Sequence, residues 1–233
     1  MRILLTRPEE DARIVAERLH EAGHEILSAP LLSVHFHDGP PLDPEGVQGV
    51  LATSANGVRA LARRTARRDL PLFAVGPQTA KAARAARFEY VENADGDAAA
   101  LAEAVPRWAR ADNGVLLHVA GTQGDGRLAA MLGAKGFEVR TEFLYDVVAA
   151  SALPAGAVEA LSQGTLDAAL FFSPRSARVF KDCVVRGRLA ETCPNVIAVC
   201  ISKAAATALS PLVFAECRIA AKPNRDALLA CLT

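Results

Sequence analysis

The chain has 233 residues, of which 51% are hydrophobic and 22% are charged, a composition typical of globular proteins that bury a sizeable core. Its 26 Lys and Arg residues equal its 26 Asp and Glu residues, so no net field favours nucleic acid or an acidic membrane. No apolar run approaches the roughly 18 residues of a membrane span. Because only three apolar residues separate Arg2 from the polar Thr6-Arg7 pair, we expect no signal peptide and a cytoplasmic location.

The cysteines lie in the last third of the chain, without the C-x-x-C spacing of many metal sites: Cys183, Cys193, Cys200, Cys217 and Cys231. An odd number of cysteines without metal-binding spacing indicates reduced thiols. Reduced thiols are in turn typical of cytosolic proteins.

Short apolar runs alternate with helical patterns along most of the chain. The first run, Ile3–Leu5, leads through Pro8 into a helix that Gly23 is expected to end. An alanine-rich helix is predicted to end near Ala111. Further strands are predicted near residues 25–34, with a break at Pro30, and near 49–53, 72–75, 115–119, 138–148, 166–172, 196–200 and 217–221. This alternation predicts parallel α/β sheets, in which ligands bind at the carboxyl ends of the strands.

One turn between a strand and a helix occurs twice in the sequence. The segment at residues 53–58 has a counterpart at 172–177, with Ser54 matching Ser173. A serine at this position caps the helix and leaves backbone N–H groups exposed at the positive end of the helix dipole. Two such turns indicate a ligand that carries several negative charges.

These turns belong to a longer internal repeat. Leu19 has its counterpart in Leu132, Ala74-Val75-Gly76 in Ala198-Val199-Cys200, and Leu101 in Leu229. The matches follow one order and lie roughly half a chain apart, which indicates a duplication. We therefore expect two similar α/β lobes with a cleft between them, the usual place for a small-molecule site.

The residues His20 to His24 match the H-E-x-x-H pattern of zinc proteases, which requires both histidines on one helical face. Because Gly23 is predicted to end the helix, His24 should lie beyond it. Its counterpart in the second half is Phe137, which favours a packing position. We therefore expect no zinc site here.

Other candidate motifs are equally incomplete. The loop from Gly121 to Gly126 matches neither G-x-G-x-x-G nor a P-loop, so it is interpreted as a tight turn, with a nucleotide site as the weaker alternative. His35 and His37 share one face of a strand, but no third metal ligand accompanies them. No nucleophile elbow is present in the sequence.

Several segments, taken in order along almost the whole chain, resemble the uroporphyrinogen-III synthase family: Thr6-Arg7-Pro8, Pro30-Leu31-Leu32, Thr53 to Val58, Ala74 to Ala80, Tyr145 and Phe172-Ser173-Pro174. The resemblance implies a cofactor-free lyase of haem biosynthesis. Such an enzyme closes the linear tetrapyrrole hydroxymethylbilane to uroporphyrinogen III, inverts the terminal pyrrole ring and releases water.

The resemblance also implies a domain organisation. The first doubly wound lobe would combine residues 1–36 with 149–233, and the second would comprise residues 37–148. Two extended segments, near residues 31–37 and 142–148, would run antiparallel as a two-stranded hinge that lets the lobes close over the substrate.

The resemblance casts Tyr145 as the catalytic acid for loss of the hydroxyl. The alternative is that its ring packs in the hinge and its hydroxyl has a structural partner. Arg7 would bind a substrate carboxylate or pair with Glu9 or Glu10. The full set of substrate-binding residues that the resemblance implies is Arg7, Ser54, Asn56, Gly76, Thr79, Ser173, Arg175, Ser176 and Ser202.

The sequence departs from the family pattern at one turn. Cys200-Ile201-Ser202-Lys203-Ala204 replaces the usual Gly-Pro-x-Thr-Ala, and Ser202 is interpreted as standing at the position of the family threonine. Lys203 would compensate for the change. This departure favours one alternative function, a non-catalytic two-lobed binding protein or sensor for a polycarboxylate tetrapyrrole.

A nucleotide-dependent transferase is a further alternative, although it lacks a phosphate-binding fingerprint. The expected partner is the small-molecule substrate hydroxymethylbilane. We expect no metal, no cofactor, no nucleic acid and no membrane partner, and a monomeric chain.

Overall fold

The computed structural model describes residues 1–124 and 126–232, without the side chains of residues 9–11. The strands are β1 (Arg2–Leu5), β2 (Glu25–Ser28), β3 (Leu32–Phe36), β4 (Val47–Ala52), β5 (Leu72–Ala74), β6 (Val91–Asn93), β7 (Val115–Gly121), β8 (Val139–Ala149), β9 (Ala168–Phe171), β10 (Ile197–Cys200) and β11 (Glu216–Ile219). The helices are α1 (Glu9–Glu21), α2 (Ala55–Arg64), α3 (Pro77–Ala85), α4 (Ala98–Ala104), α5 (Arg127–Gly133), α6 (Ala155–Ser162), α7 (Pro174–Arg186), α8 (Lys203–Thr207) and α9 (Arg225–Leu229). Short 3-10 helices cover Val105–Arg107, Ala190–Asn195 and Ala230–Leu232.

The chain divides into two compact units. The first unit comprises Met1–Ser33 with Val148–Thr233, and the second comprises Val34–Val147. The chain passes from one unit to the other within β3 and again within β8.

The first unit is built on a sheet with the strand order β11-β10-β9-β1-β2. Its neighbouring strands pair in parallel. Side chains alternate between two cores, since Leu4 packs on one face of the sheet while Ile3 and Leu5 pack on the other. Helices therefore cover both faces, as the apolar character of the strands requires.

The second unit repeats this plan with the strand order β3-β8-β7-β4-β5-β6. The pairs from β8 to β6 are parallel. Val50 and Ala52 of β4 enter one core, and Leu51 between them enters the core of the opposite face. The predicted doubly wound parallel α/β architecture is confirmed.

Polar side chains start many of the helices. Ser54 caps α2 by accepting a hydrogen bond from the N–H of Gly57, at 3.0 Å, and Ser173 caps α7 in the same way. Asp97 caps α4 by accepting from the N–H groups of Ala100 and Ala99, and these bonds lower the pKa of its carboxyl group. Each cap contributes about 1 kcal/mol to its helix.

The alanine-rich helix is shorter than the sequence predicted. It ends at Ala104 and continues only as the 3-10 helix Val105–Arg107. Pro106 explains the difference, because it has no N–H group to extend the α-helical ladder. The prediction of an end near Ala111 was therefore wrong.

In the described part of the chain, none of the helices is both long enough and apolar enough to cross a membrane.

Gly57 lies at the first turn of α2, where the helix passes close to β7. A Cβ atom added at Gly57 would approach the carbonyl oxygen of Val119 to 2.9 Å. We expect Gly57→Ala to lower the free energy of unfolding by about 1–3 kcal/mol, because backbone must move to relieve the overlap. Urea denaturation measures the change.

Gly133 in α5 is the matched control, because a Cβ atom there would meet nothing within 4 Å. We expect Gly133→Ala to raise the free energy of unfolding by roughly 0.4–1 kcal/mol, because alanine lowers the conformational entropy of the unfolded chain. Equal effects of the two substitutions would contradict the close packing of α2 on β7.

Candidate functional site

In the first unit, the predicted site residues follow three neighbouring parallel strands. Arg7 follows β1, Ser173 follows β9 and Ser202 follows β10. Because the carboxyl ends of parallel strands meet at one edge of a sheet, these residues share that edge. We call it the first edge.

Side chains on the first edge are held by local contacts. The Arg7 guanidinium lies over the ring of Phe172, 4.7 Å from its centroid. The hydroxyl of Ser173 accepts from the Ser176 N–H at 3.0 Å, and the Ser176 hydroxyl donates to the Ser173 carbonyl at 3.0 Å. Arg175 is half-buried at the start of α7. A pairing of Arg7 with Glu9 or Glu10 lies outside the described residues.

The structure corrects the alignment of the two copies of one turn. Gly76 is the residue before α3, and Ser202 is the residue before α8. Ser202 therefore corresponds to Gly76, and the counterpart of Thr79 is Ala205, so the interpretation of Ser202 as the family threonine was wrong. The repeat is too weak in this region for sequence alone to reveal the two-residue slip.

The two turns differ in the hydrogen-bond donors that they can offer to an anion. Gly76 has no side chain, so the first turn of α3 has no side-chain cap. Ser202 instead accepts a hydrogen bond from the Ala205 N–H at 3.3 Å, which occupies one of the donors of its own turn. Lys203 is exposed beside it.

In the second unit, the predicted residues lie after β4, after β5 and near the end of β8. Ser54 and Asn56 begin α2, Gly76 and Thr79 begin α3, and Tyr145 lies in β8. These strands are parallel to one another through β7, so the residues lie at the carboxyl edge of their sheet. We call it the second edge.

The structure brings Ser54 and Tyr145 into direct contact. Their hydroxyl oxygens are 2.8 Å apart, and either group can be the donor. The Tyr145 ring is 7% exposed and covers Gly121, where an added Cβ atom would come within 2.8 Å of the ring. The packed ring and partnered hydroxyl agree with the structural alternative for Tyr145, and a role as an acid stays a prediction.

Asn56 and Thr79 differ in how available their side chains are to a ligand. The side-chain oxygen of Asn56 accepts a hydrogen bond from the Arg59 guanidinium at 2.7 Å, which fixes the amide orientation. The amide NH₂ group is then the end that remains to bind an acceptor. Thr79 is only 5% exposed.

Sequence reasoning missed a polar cluster next to Tyr145, formed by His37, Thr122 and Asp146. The imidazole of His37 lies 2.8 Å from the Asp146 carboxylate, and the Thr122 hydroxyl donates to the same carboxylate. These contacts lower the pKa of Asp146, mainly through Thr122 and then through His37. The sequence contained two signals of this cluster. Thr122 directly follows β7, and Asp146 directly follows Tyr145.

The remaining sequence candidates are the histidine pairs and the glycine-rich loop. His24 lies beyond the end of α1, and Gly23 has a positive φ of 79° that suits the helix stop. No cluster of three or more potential ligands occurs among the described residues. Asp125, in the glycine-rich loop, lies outside them.

A known family resembles this chain in sequence, and solved structures resemble it in fold. A family model described as uroporphyrinogen-III synthase HemD matches residues 14–230. The crystal structure of uroporphyrinogen-III synthetase from Helicobacter pylori 26695 has a TM-score of 0.67 and 19% identity, covering 100% of this chain and 98% of that chain. A mutant uroporphyrinogen III synthase from the extremely thermophilic bacterium Thermus thermophilus has a TM-score of 0.52 and 18% identity, covering 100% and 97%.

No curated protein sequence matches the chain significantly. At identities below one fifth, the two solved structures show a shared fold. The family match extends over nearly all of the sequence. The chain therefore belongs to the uroporphyrinogen-III synthase HemD family.

Proposed function

We infer that the protein is a uroporphyrinogen-III synthase, a cofactor-free lyase that converts hydroxymethylbilane to uroporphyrinogen III in haem biosynthesis. The reaction closes the tetrapyrrole, inverts its terminal ring and releases water. The observation that carries this conclusion is the family match over residues 14–230. It favours the enzyme over a non-catalytic tetrapyrrole receptor.

We propose that each edge binds carboxylates of the substrate, which carries eight of them. Helix starts suit this task because their backbone N–H groups and the helix dipole attract anions without a net positive protein. At the second edge, the uncapped turn after Gly76 and the amide NH₂ of Asn56 are the proposed donors. At the first edge, Arg7 and Arg175 add charge, and Ser173, Ser176 and Ser202 add hydroxyl groups.

Tyr145 is proposed as the acid that assists loss of the substrate hydroxyl. The C–O bond of the hydroxymethyl group breaks, the phenol proton passes to the departing oxygen, and water leaves. The pyrrole nitrogen lone pair stabilises the resulting carbocation. Ring closure then releases a proton from the attacked pyrrole, which the phenolate can take back.

Ser54 suits this cycle because of its contact with Tyr145. Its oxygen already accepts the Gly57 N–H, so its own proton is available for the phenol oxygen 2.8 Å away. When Ser54 donates, the phenol proton is left for the substrate, and the phenolate that forms keeps a donor. This electrostatic support for a developing anion is the kind of interaction that lowers reaction barriers.

We also propose that the enzyme is a cytoplasmic monomer. The odd number of cysteines supports a reducing compartment. Sedimentation velocity tests the monomer.

Porphyrin isomer analysis tests the function. Purified protein receives fresh hydroxymethylbilane, and the oxidised products are separated. Spontaneous closure gives the symmetrical type I isomer and is the built-in control. We expect predominantly type III. Type I alone, together with saturable bilane binding, would support the receptor alternative.

The substitution Tyr145→Phe tests the acid. We expect it to lower kcat by up to roughly 10²–10⁴-fold without abolishing type III formation, because positioning supplies much of the remaining rate. Tyr90→Phe is the matched control, since Tyr90 is 61% exposed. Wild-type turnover of Tyr145→Phe would remove Tyr145 from the mechanism.

A further inference from the structure

His37 contacts β8 on both sides of Tyr145. Its Nδ1 atom lies 3.0 Å from the carbonyl oxygen of Phe143, and its Nε2 atom lies 2.8 Å from a carboxylate oxygen of Asp146. Its backbone N–H also donates to the carbonyl of Leu144 at 2.8 Å. His37 thus binds two residues of β8 that precede Tyr145 and one that follows it.

The two ring contacts favour the protonated form of His37. A carbonyl oxygen and a carboxylate oxygen only accept hydrogen bonds, whereas a neutral imidazole has a single N–H donor. Both bonds can form together only in the imidazolium. In agreement, the Asp146 bond and then the Phe143 bond raise the pKa of His37 above its ordinary value of 6.5.

The segment that His37 holds is a β-bulge. Ala120 of β7 pairs with Phe143, but Gly121 pairs with Tyr145, so Leu144 is an extra residue in β8. Bulges bend a strand and redirect its side chains, and they often adjoin active sites. The imidazolium spans this bulge, whose geometry directs the Tyr145 ring onto Gly121 and its hydroxyl to Ser54.

Thr122 ties the other side of the bulge to β7. Its backbone N–H donates to the Tyr145 carbonyl at 3.1 Å, and its hydroxyl donates to Asp146. Asp146 therefore receives hydrogen bonds from both His37 and Thr122. Loss of the His37 proton leaves a single ring N–H, so either its bond to Asp146 or its bond to Phe143 is lost.

We propose that His37, as an imidazolium, is a positioning residue that holds the β8 bulge and so keeps Tyr145 against Ser54. The proposal rests on the function inferred above, in which Tyr145 acts on the substrate. It does not place His37 in contact with the substrate.

Other charged groups near His37 act in both directions. Asp146 on β8 stabilises the imidazolium and is the dominant group. Arg64 on α2 donates to the His37 carbonyl at 3.4 Å and weakly opposes the positive charge. His35 on β3 interacts with Asp146. Because folding raises the pKa of His37, the hydrogen bonds of its imidazolium stabilise the folded state fully below pH 6.5. This stabilisation of the folded state is lost as the pH rises through the higher folded-state pKa.

Nuclear magnetic resonance of ring-labelled tyrosine tests the coupling without catalysis. The chain has two tyrosines, so the Tyr145 signal is identified by its absence from Tyr145→Phe. We expect the Tyr145 signal to shift with the same pH midpoint as the His37 imidazole, and Tyr90 to remain constant. A Tyr145 signal that is constant while His37 titrates would overturn the proposal.

Kinetics provides the second readout, with His37→Gln and the exposed control His20→Gln. Glutamine cannot reach both acceptors, so we expect about a tenfold or greater loss of kcat with KM within about twofold, as for a displaced reacting group. The wild-type kcat should fall as His37 deprotonates, whereas His37→Gln should stay low and flat over that range. The control should follow the wild type.

The outcomes separate the two claims. If the protein forms the type III isomer and the resonance of Tyr145 does not depend on pH, the role of His37 is rejected and the proposed function is supported. Coupled titration without type III formation would support His37 as the residue that positions Tyr145 and reject the function. Equal pH profiles of kcat for wild type and His37→Gln would also reject the role of His37.

Discussion

The bulge in β8 is the constraint on which the second edge depends. A regular strand would alternate its side chains, but the extra residue Leu144 allows both Leu144 and Tyr145 to enter the same core. Tyr145 then lies against Gly121, where an added Cβ atom would come within 2.8 Å of its ring, and reaches Ser54 at the start of α2. The proposed acid and a helix cap therefore meet through backbone geometry.

In the proposed function, the rest of each unit supplies hydrogen-bond donors rather than reactive groups. On the same proposal, a chain without net charge binds a polycarboxylate through helix starts at the carboxyl edges of its sheets. The two copies of one turn have diverged, because Gly76 leaves its turn uncapped while Ser202 caps its own and adds Lys203. The two copies of the turn therefore differ in the hydrogen-bond donors that they leave exposed.

Local signals predicted the fold well, and long-range contacts were beyond them. Ser54 and Ser173 mark strand-to-helix turns by residue type alone, and parallel sheets follow from the strand and helix order. The contact of Ser54 with Tyr145 depends on a bulge that no pattern in the sequence predicts. The family resemblance implies that the segments of His37 and Asp146 lie side by side, but the hydrogen bond between these two side chains, 109 residues apart, required the structure.

The most direct test of this account is a double-mutant cycle on turnover with Ser54→Ala, Tyr145→Phe and the double variant, each first shown to be folded. Groups that act as one unit give non-additive effects. We expect the double variant to lose little more kcat than Tyr145→Phe alone, because Ser54 acts through the phenol. Strictly additive losses would contradict the claim that this hydrogen bond supports the chemistry.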